Sequence, residues 1–291
     1  MPASEVMKEA ERLVASGVKW ITLLGQNVNS YAGQGPRTKS HGQISGEGSR
    51  TTQQEPWTVG PGPWTEPFPR LLEMLCGIKG LERISFTTSH PQDATEELFQ
   101  VIARNPKIGR RFHLPLQSGS DRVLKRMKRR HTFAEYESKV RRLRELVPEI
   151  AITTDIIVGF SGERDEDHEA TKRALEVLRF DSAFIYKYSV RPGTPADRLP
   201  DDVLPEEKAA RNQELLAIQK RISEEKSRAM VGSTRTIFVE QRHLEESQEY
   251  VGRLDQDRRV IFESDRYCVG EFLPGVLTEL QHETFRAKPA L

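Results

Sequence analysis

Hydrophobic and polar positions alternate along the first two thirds of the chain in a way that predicts strands and helices in turn. Short apolar runs are typical of buried parallel strands, and the segments between them repeat apolar residues at helical spacing. Such alternation indicates an α/β fold with a parallel sheet, either a barrel or an open sheet, whose polar strand ends share one face. The five predicted strands are residues 19–24, 81–86, 112–116, 150–158 and 181–189.

Beyond residue 200 the pattern changes twice. A long amphipathic helix is predicted from Pro205 to Met230, with proline in its first turn and Gly232 just beyond its end. Short strand-like pieces separated by turns follow, as in a small β-barrel. The sequence therefore predicts two domains, residues 1–230 and residues 231–291.

Residues 32–69 interrupt the alternation. The segment is rich in Gly, Pro, Ser, Thr and Gln and has few apolar residues. A segment that buries little apolar surface cannot offset the entropy lost on ordering. We therefore predict a flexible insert at about 32–69.

The stretch from Arg110 to Thr132 contains the strongest candidates for ligand-binding residues. Its sequence is RRFHLPLQSGSDRVLKRMKRRHT, a strand that runs into a small polar turn and then into a basic helix. Polar residues at the carboxyl end of a parallel strand are well placed to bind a ligand, which favours Gln117, Ser118 and Ser120 as site residues. The other interpretation is a simple capped helix start, because hydroxyl side chains are favoured there.

Composition narrows the function classes. The formal net charge is +1, so a nucleic-acid partner would have to be met by a local basic surface. The chain has two cysteines, Cys76 and Cys268, which excludes a disulfide framework and any site that needs three thiolates from this chain. No signal-like segment or long apolar run occurs, and the expected location is cytoplasmic.

Five motifs together resemble one protein family. The chain is similar to the radical S-adenosylmethionine tRNA methylthiotransferases of the MiaB type, over residues 1 to about 230. The tail resembles the TRAM module, a small RNA-binding β-barrel. The motifs are LLGQNVNSY (23–31), RISFTTSHP (83–91), HLPLQSGSDRVLKRMKRRHT (113–132), TDIIVGFSGE (154–163) and YSVRPGTPA (188–196).

The resemblance implies a fold and a reaction. The fold would be a partial radical-SAM (TIM-like) α/β barrel that lacks its first strand, followed by the TRAM barrel. The reaction would be tRNA modification by a transferase, in which a 4Fe-4S iron-sulfur cluster and S-adenosylmethionine generate a 5'-deoxyadenosyl radical. The substrate of such enzymes is the isopentenylated adenosine beside the tRNA anticodon, methylthiolated at carbon 2.

The resemblance also implies site residues. S-adenosylmethionine would contact the loop after the first predicted strand, the end of the strand before residue 117 and the end of the strand before residue 159. By position, the cofactor-binding residues would be Gly25, Gln26, Asn27, Gln117, Ser118, Asp155, Val158 and Gly159.

An RNA partner, the anticodon stem-loop of tRNA, would be met by basic residues. The helix after Ser120 is densely basic, although a solvated helix face without a ligand is an equal alternative. Arg191 either binds an anion or holds its own turn. The predicted RNA-binding residues are Arg122, Lys125, Arg126, Lys128, Arg129, Arg130, Arg191, Arg253, Arg258 and Arg259.

The sequence departs from the family at its metal centre. The family's CxxxCxxC motif is absent, and thiolates are what hold such clusters. We therefore expect no metal site from this chain, a missing N-terminal domain of the same enzyme as partner, and no radical activity of the chain alone. Two alternatives stay open: a catalytically inactive tRNA-binding or regulatory fragment, and a relative of the ribosomal-protein methylthiotransferases.

Overall fold

The computed structural model of the chain describes residues 1–25, 27–31, 67–87, 89–244 and 247–290. The predicted insert at about 32–69 lies outside these ranges except for its last three residues. Of those three, Phe68 and Pro69 belong to a helix.

Five parallel strands alternate with helices in the first part of the chain. Strand β1 pairs with β2, and β3, β4 and β5 pair in that order. An isolated parallel bridge between Ile84 in β2 and Ile108 just before β3 connects the two groups. The strands thus follow one another in the order predicted for a partial α/β barrel. They are β1 (Trp20–Leu23), β2 (Arg83–Phe86), β3 (Arg111–His113), β4 (Ala151–Val158) and β5 (Ser182–Lys187).

The helices between these strands begin where the sequence supplies caps. The predicted capping box of Thr132 and Glu135 is confirmed, with each side chain bonded to the backbone amide of the other. Thr95 caps another helix by accepting from the amide of Leu98 at 3.2 Å. The helices are α1 (Ala3–Ala15), α2 (Phe68–Cys76), α3 (Glu96–Arg104), α4 (Asp121–Arg126), α5 (Phe133–Leu146), α6 (Asp165–Leu178) and α7 (Pro205–Arg228).

One face of the sheet packs against the helices. Ile84, Phe112 and Ile152, from three strands, are fully buried there. Edge-to-face contacts join Phe112 to Phe86 at 5.8 Å and to Phe99 of α3 at 6.0 Å. Because side chains alternate along a strand, the residues between these face the opposite side of the sheet. Among the described residues, no helix is both long and apolar enough to cross a membrane.

The tail forms the predicted β-barrel. Its strands close in the order β10-β8-β7-β6-β9 around a second hydrophobic core, which includes Ile237, Tyr250 and Phe285. Closure leaves no unpaired strand edge. The strands are β6 (Thr234–Arg242), β7 (Glu249–Leu254), β8 (Arg259–Glu263), β9 (Phe272–Gln281) and β10 (Thr284–Pro289).

The turn between β7 and β8, residues 255–258, attaches the barrel to the sheet. The amide of Arg110 donates to the carbonyl of Asp255 at 2.8 Å, and Arg111 pairs with Asp257 at 2.5 Å. Arg110 directly precedes β3. The barrel therefore contacts the amino ends of the parallel strands, opposite the end where a ligand is expected.

Aromatic contacts extend this attachment. Trp20 of β1 lies 5.4 Å from Phe238 and 6.5 Å from Phe272, measured between ring centroids. The guanidinium of Arg83 lies 5.4 Å from the ring of Phe272 and pairs with Asp255 at 4.0 Å. Stacked rings and a buried cation fix the orientation of the barrel as well as its position.

Candidate cofactor site and basic surface

Polar residues converge at the carboxyl ends of β3 and β4. The amide of Gln117 donates to the carbonyl of Asp155 at 2.8 Å, and the amide of Ile157 donates back to the carbonyl of Gln117 at 2.9 Å. These bonds hold the turn after β3 beside the end of β4. We call the resulting constellation of Gln117, Arg129, Asp155, Val158 and Gly159 the strand-end site.

Gln117 has a strained backbone. Its φ is 74°, a left-handed conformation that residues other than glycine rarely adopt. The residue is 7% exposed, and its side-chain amide, unlike its backbone amide, makes no hydrogen bond within the described part of the chain. A strained backbone at a polar residue whose side chain has no internal partner is typical of a binding position.

The rest of this turn is occupied by internal contacts. The hydroxyl of Ser118 accepts from the amide of Ser120 at 3.2 Å and lies 3.4 Å from that of Thr171. The hydroxyl of Ser120 caps α4 and donates to Asp167 at 2.6 Å. The capped helix start is therefore confirmed, and a cofactor contact for Ser118, which is 1% exposed, stays a prediction.

Arg129 belongs beside the strand-end site rather than on the basic helix. It is half-buried, and burial lowers the pKa of its guanidinium while the charge of Asp155 raises it. Within the described residues the Arg129 side chain makes no hydrogen bond or ion pair. The site therefore contains a cation with all its donors available to an anionic group.

Asp155 has a neighbour that sequence reasoning missed. His113 places Nε2 at 3.3 Å from Oδ2 of Asp155 and Nδ1 at 2.9 Å from the hydroxyl of Thr153. The alternation of Phe112, His113 and Leu114 contained the signal, because it places the histidine on the face opposite the core.

The exit loop of β4 is held by a buried ion pair. The amide of Gly159 donates to Oε1 of Glu163 at 2.9 Å, and the same oxygen accepts from Arg211 of α7 at 2.9 Å. The two charged side chains are 3% and 5% exposed, and burial raises the pKa of Glu163. Gly159 has φ 69°, and an added Cβ would lie 2.3 Å from Lys208. Val158, at the end of β4, is 1% exposed.

The loop after β1 is joined to the loop after β2. Asn29 donates to the carbonyl of His90 at 2.9 Å and accepts from its amide at 2.7 Å. Gly25 and Asn27, two of the predicted cofactor residues, are exposed at this loop, and the third, Gln26, lies outside the described residues.

Two of the predicted RNA-binding arginines are engaged within the protein. Arg122 donates to Asp167 and to the carbonyl of Gly162, at 2.5 Å for the latter, and Arg126 donates to the carbonyl of Ser161 at 2.9 Å. These bonds fix α4 against the loop after β4. The residues of this stretch that are exposed and unpaired within the described chain are Lys125, Lys128 and Arg130.

Of the other four predicted RNA-binding arginines, two are paired within the protein and two are exposed. Arg253 pairs with Glu240 at 2.9 Å and Asp257 at 2.5 Å. Arg258 is 16% exposed and donates to Ser227 and Asp181 across the attachment of the barrel. Arg191 and Arg259 are exposed and make no ion pair among the described residues. RNA contacts of all four stay predictions.

Comparison with known proteins shows which family the chain belongs to. The model of the Radical SAM superfamily matches residues 1–175. The chain belongs to the Radical SAM superfamily. It is 40% identical over 287 residues to tRNA-2-methylthio-N(6)-dimethylallyladenosine synthase from Aeromonas hydrophila, a match that covers 99% of this chain and 55% of that protein.

Two further matches define the extent of the similarity. The synthase of the same name from Methylobacillus flagellatus is 38% identical, with 99% of this chain and 59% of that protein covered. The chain thus spans little more than half the length of these curated relatives. Among solved structures, coproporphyrinogen III oxidase (HemN) from Escherichia coli, a Radical SAM enzyme, has a TM-score of 0.45 and 19% identity, covering 53% of this chain and 36% of that one.

Radical SAM proteins use S-adenosylmethionine and a 4Fe-4S cluster, and cysteine thiolates hold clusters of this kind. The chain has two cysteines, one half-buried in α2 and one buried in the tail, and burial raises the pKa of both thiols. No group of three or more metal-binding side chains occurs among the residues that the structure describes.

The strand-end site of this superfamily member offers groups whose chemistry can be compared with that of S-adenosylmethionine. S-adenosylmethionine carries a carboxylate, an amine, a ribose and an adenine. The guanidinium of Arg129 suits the carboxylate of the cofactor. The side-chain amide of Gln117 and the carboxylate of Asp155, which also contacts His113, suit hydroxyl and amine groups.

Proposed function

We propose that this chain is the cofactor-binding and RNA-binding part of a tRNA methylthiotransferase. The reaction would be methylthiolation at carbon 2 of N6-dimethylallyladenosine beside the anticodon. The observation that carries the proposal is the 40% identity over 99% of the chain to a synthase of that name. We take the two domains to be residues 1–230 and 231–291.

The strand-end site would hold S-adenosylmethionine, with Arg129 on the carboxylate and Asp155 and Gln117 on polar groups. Val158 and Gly159 would lie beside the adenine, with the loop of Gly25, Gln26 and Asn27 near the methionine end. When bound beside a reduced cluster, this cofactor supplies the radical. The chain's own residues bind and orient it, and Glu163 keeps the β4 exit loop in place through the amide of Gly159.

The cluster ligands would come from a part of the enzyme outside this chain. Two cysteines cannot hold a 4Fe-4S cluster, so the chain alone should bind the cofactor without cleaving it. The same cysteine count favours the second candidate, an inactive tRNA-binding or regulatory protein. Activity after addition of the missing part would separate the two.

The anticodon stem-loop would be bound by exposed basic residues at the carboxyl end of the sheet. Lys125, Lys128, Arg130 and Arg191 have no internal partner in the described chain and are therefore available to phosphates. The relatives' names point to tRNA, which favours RNA over a ribosomal protein as the substrate.

Cofactor binding can be tested without iron. We expect calorimetric titration of the chain with S-adenosylmethionine to show binding, and Arg129→Met to weaken it about tenfold, because a charge-assisted hydrogen bond contributes roughly 1.5–3 kcal/mol. Lys125→Met is the matched control, since Lys125 is exposed on α4 and should leave the affinity unchanged. No binding to the wild-type chain, or equal loss in both variants, would contradict the proposal.

RNA binding needs a separate measurement. We expect the chain to shift a labelled anticodon stem-loop, with affinity that falls as salt rises because phosphate contacts release counterions. The triple variant of Lys125, Lys128 and Arg130 to Ala should bind more weakly and with a smaller salt slope. Salt-independent binding, or none, would refute an RNA-docking role for this surface.

A further inference from the structure

Strand β5 carries two aromatic side chains that the described part of the chain leaves exposed. Phe184 is 50% exposed and Tyr186 is 54% exposed. Because side chains alternate along a strand, both lie on the same face of β5. Their rings are nearly parallel, with an interplanar angle of 16° and centroids 6.4 Å apart. Ile185, between them, packs into the main core. The strand is therefore well anchored, and its aromatic face is left open.

This aromatic face adjoins the strand-end site. In the parallel pairing of β4 and β5, Phe184 lies opposite Asp155 and Tyr186 lies opposite Ile157. Side chains of paired residues point to the same face, and neighbouring strands are about 4.8 Å apart. The two rings thus extend the surface of the proposed cofactor site by one strand.

An exposed arginine, Arg191, lies shortly after the two aromatic residues in the sequence. Arg191 lies four residues beyond the end of β5, is exposed, and has no ion pair within the described residues. Aromatic faces next to a free cation are the combination by which proteins bind unpaired nucleotides, with the base on the ring and the phosphate on the cation.

We propose that Phe184 and Tyr186 form a stacking surface for an unpaired purine of bound RNA. The inference rests on the proposed function and adds the place where the target base would lie. A base stacked there would lie beside Asp155 and hence beside the cofactor. An exposed aromatic ring offers a flat face on which a base can stack, and Arg191 would fix the adjoining phosphate.

The experiment compares two RNA hairpins of the same stem. One has a single adenosine in a loop of otherwise abasic nucleotides, and the other has an entirely abasic loop. We expect the full chain to bind the adenosine hairpin about tenfold more tightly, since stacking of one base on an aromatic side chain is of that order. Phe184→Leu and Tyr186→Leu should abolish the preference, because leucine keeps apolar area but has no ring face.

Two further variants serve as controls. Tyr186→Phe keeps the ring and should keep the preference. Val177→Ala removes an exposed apolar side chain from α6, outside the aromatic face, and should change neither affinity. Since Phe184, Tyr186 and Val177 are all at least half exposed, these variants should fold as the wild type does.

Each other outcome decides against the inference in a distinct way. Equal binding of both hairpins by the wild-type chain would refute the stacking surface and leave the proposed function intact. Failure to bind either hairpin would refute both. Leucine variants that lose affinity for S-adenosylmethionine but keep the preference for the adenosine hairpin would assign the rings to the adenine of the cofactor instead.

Discussion

Asp167 offers a sharp test of how the turn after β3 is held. Its carboxylate is 8% exposed and accepts from the hydroxyl of Ser120 at 2.6 Å, from Arg122 Nε at 3.2 Å and from the amide of Arg164 at 2.8 Å. These bonds join the start of α4 to the start of α6. The strained turn that carries Gln117 is thereby fixed from one side.

The stabilisation can be derived from the pKa of Asp167. Burial acts to raise this pKa, but the bonds from Arg122, Ser120 and the Arg164 amide outweigh it and hold the pKa at about 2, below the ordinary 3.8. A shift of this size corresponds to roughly 2 kcal/mol of folding free energy. Because the partner Arg122 is 38% exposed, screening reduces the expected cost of Asp167→Asn to about 1–2 kcal/mol.

The sign of the pH dependence follows from the lowered pKa. The charged carboxylate stabilises the fold above about pH 4, and the contribution is lost as the pH falls through the folded-state pKa toward 2. Urea unfolding of the wild type and Asp167→Asn at pH 7, 5 and 3 measures it. We expect the difference in free energy of unfolding at pH 3 to be roughly half that at pH 7.

The matched control is Glu166→Gln, an exposed neighbour on the same helix that makes no hydrogen bond within the described residues. Its effect should stay below about 0.5 kcal/mol at every pH. A difference between wild type and Asp167→Asn that is constant from pH 7 to pH 3, or an equal loss in Glu166→Gln, would refute the reasoning.

Two further predictions concern packing and the attachment of the barrel. Gly119→Ala should lower the free energy of unfolding by about 3 kcal/mol, because the new Cβ would lie 2.5 Å from the backbone oxygen of Ala170. Arg258→Met should cost about 1–2 kcal/mol, because it removes hydrogen bonds to Ser227 and to the buried carboxylate of Asp181. Urea unfolding at pH 7 measures both.

Each of these two variants has a control in the chain. Gly77→Ala introduces a Cβ 3.2 Å from its nearest neighbour at a helical φ of −71°, and it should cost clearly less than Gly119→Ala. Arg259→Met removes an exposed arginine next to Arg258 and should leave stability unchanged. If Gly77→Ala lowered the free energy of unfolding as much as Gly119→Ala, crowding at Gly119 would not be the cause. If Arg259→Met lowered it as much as Arg258→Met, the hydrogen bonds of Arg258 would not be the cause.

The parts of the fold that depend on local pattern were predictable from the sequence. The order of the five strands follows from short apolar runs separated by helical spacing, and the capping box at Thr132 follows from residue types three apart. The strand-end position of Gln117 and the capped start at Ser120 follow from the same local pattern. For the two caps the deciding interaction lies within a few residues.

Charged side chains could not be assigned from the sequence, because their partners are distant along the chain. The pair of Arg111 and Asp257 joins residues 146 positions apart, and Arg211 meets Glu163 across 48. Arg129 and Arg130 are adjacent, yet one lies half-buried beside Asp155 and the other is exposed. Local charge density cannot distinguish an ion-paired, a half-buried and a solvated arginine.

The attachment of the barrel to the amino ends of the strands determines how far the barrel lies from the strand-end site. Strand β4 has eight residues and so spans about 26 Å at roughly 3.3 Å per residue. The barrel is attached near the amino end of β4, and the strand-end site lies at the carboxyl end of β4. The length of this strand therefore separates the two. An RNA shorter than this span can reach one end only, and the size of a fragment, independent of its base sequence, then decides whether both ends are engaged at once.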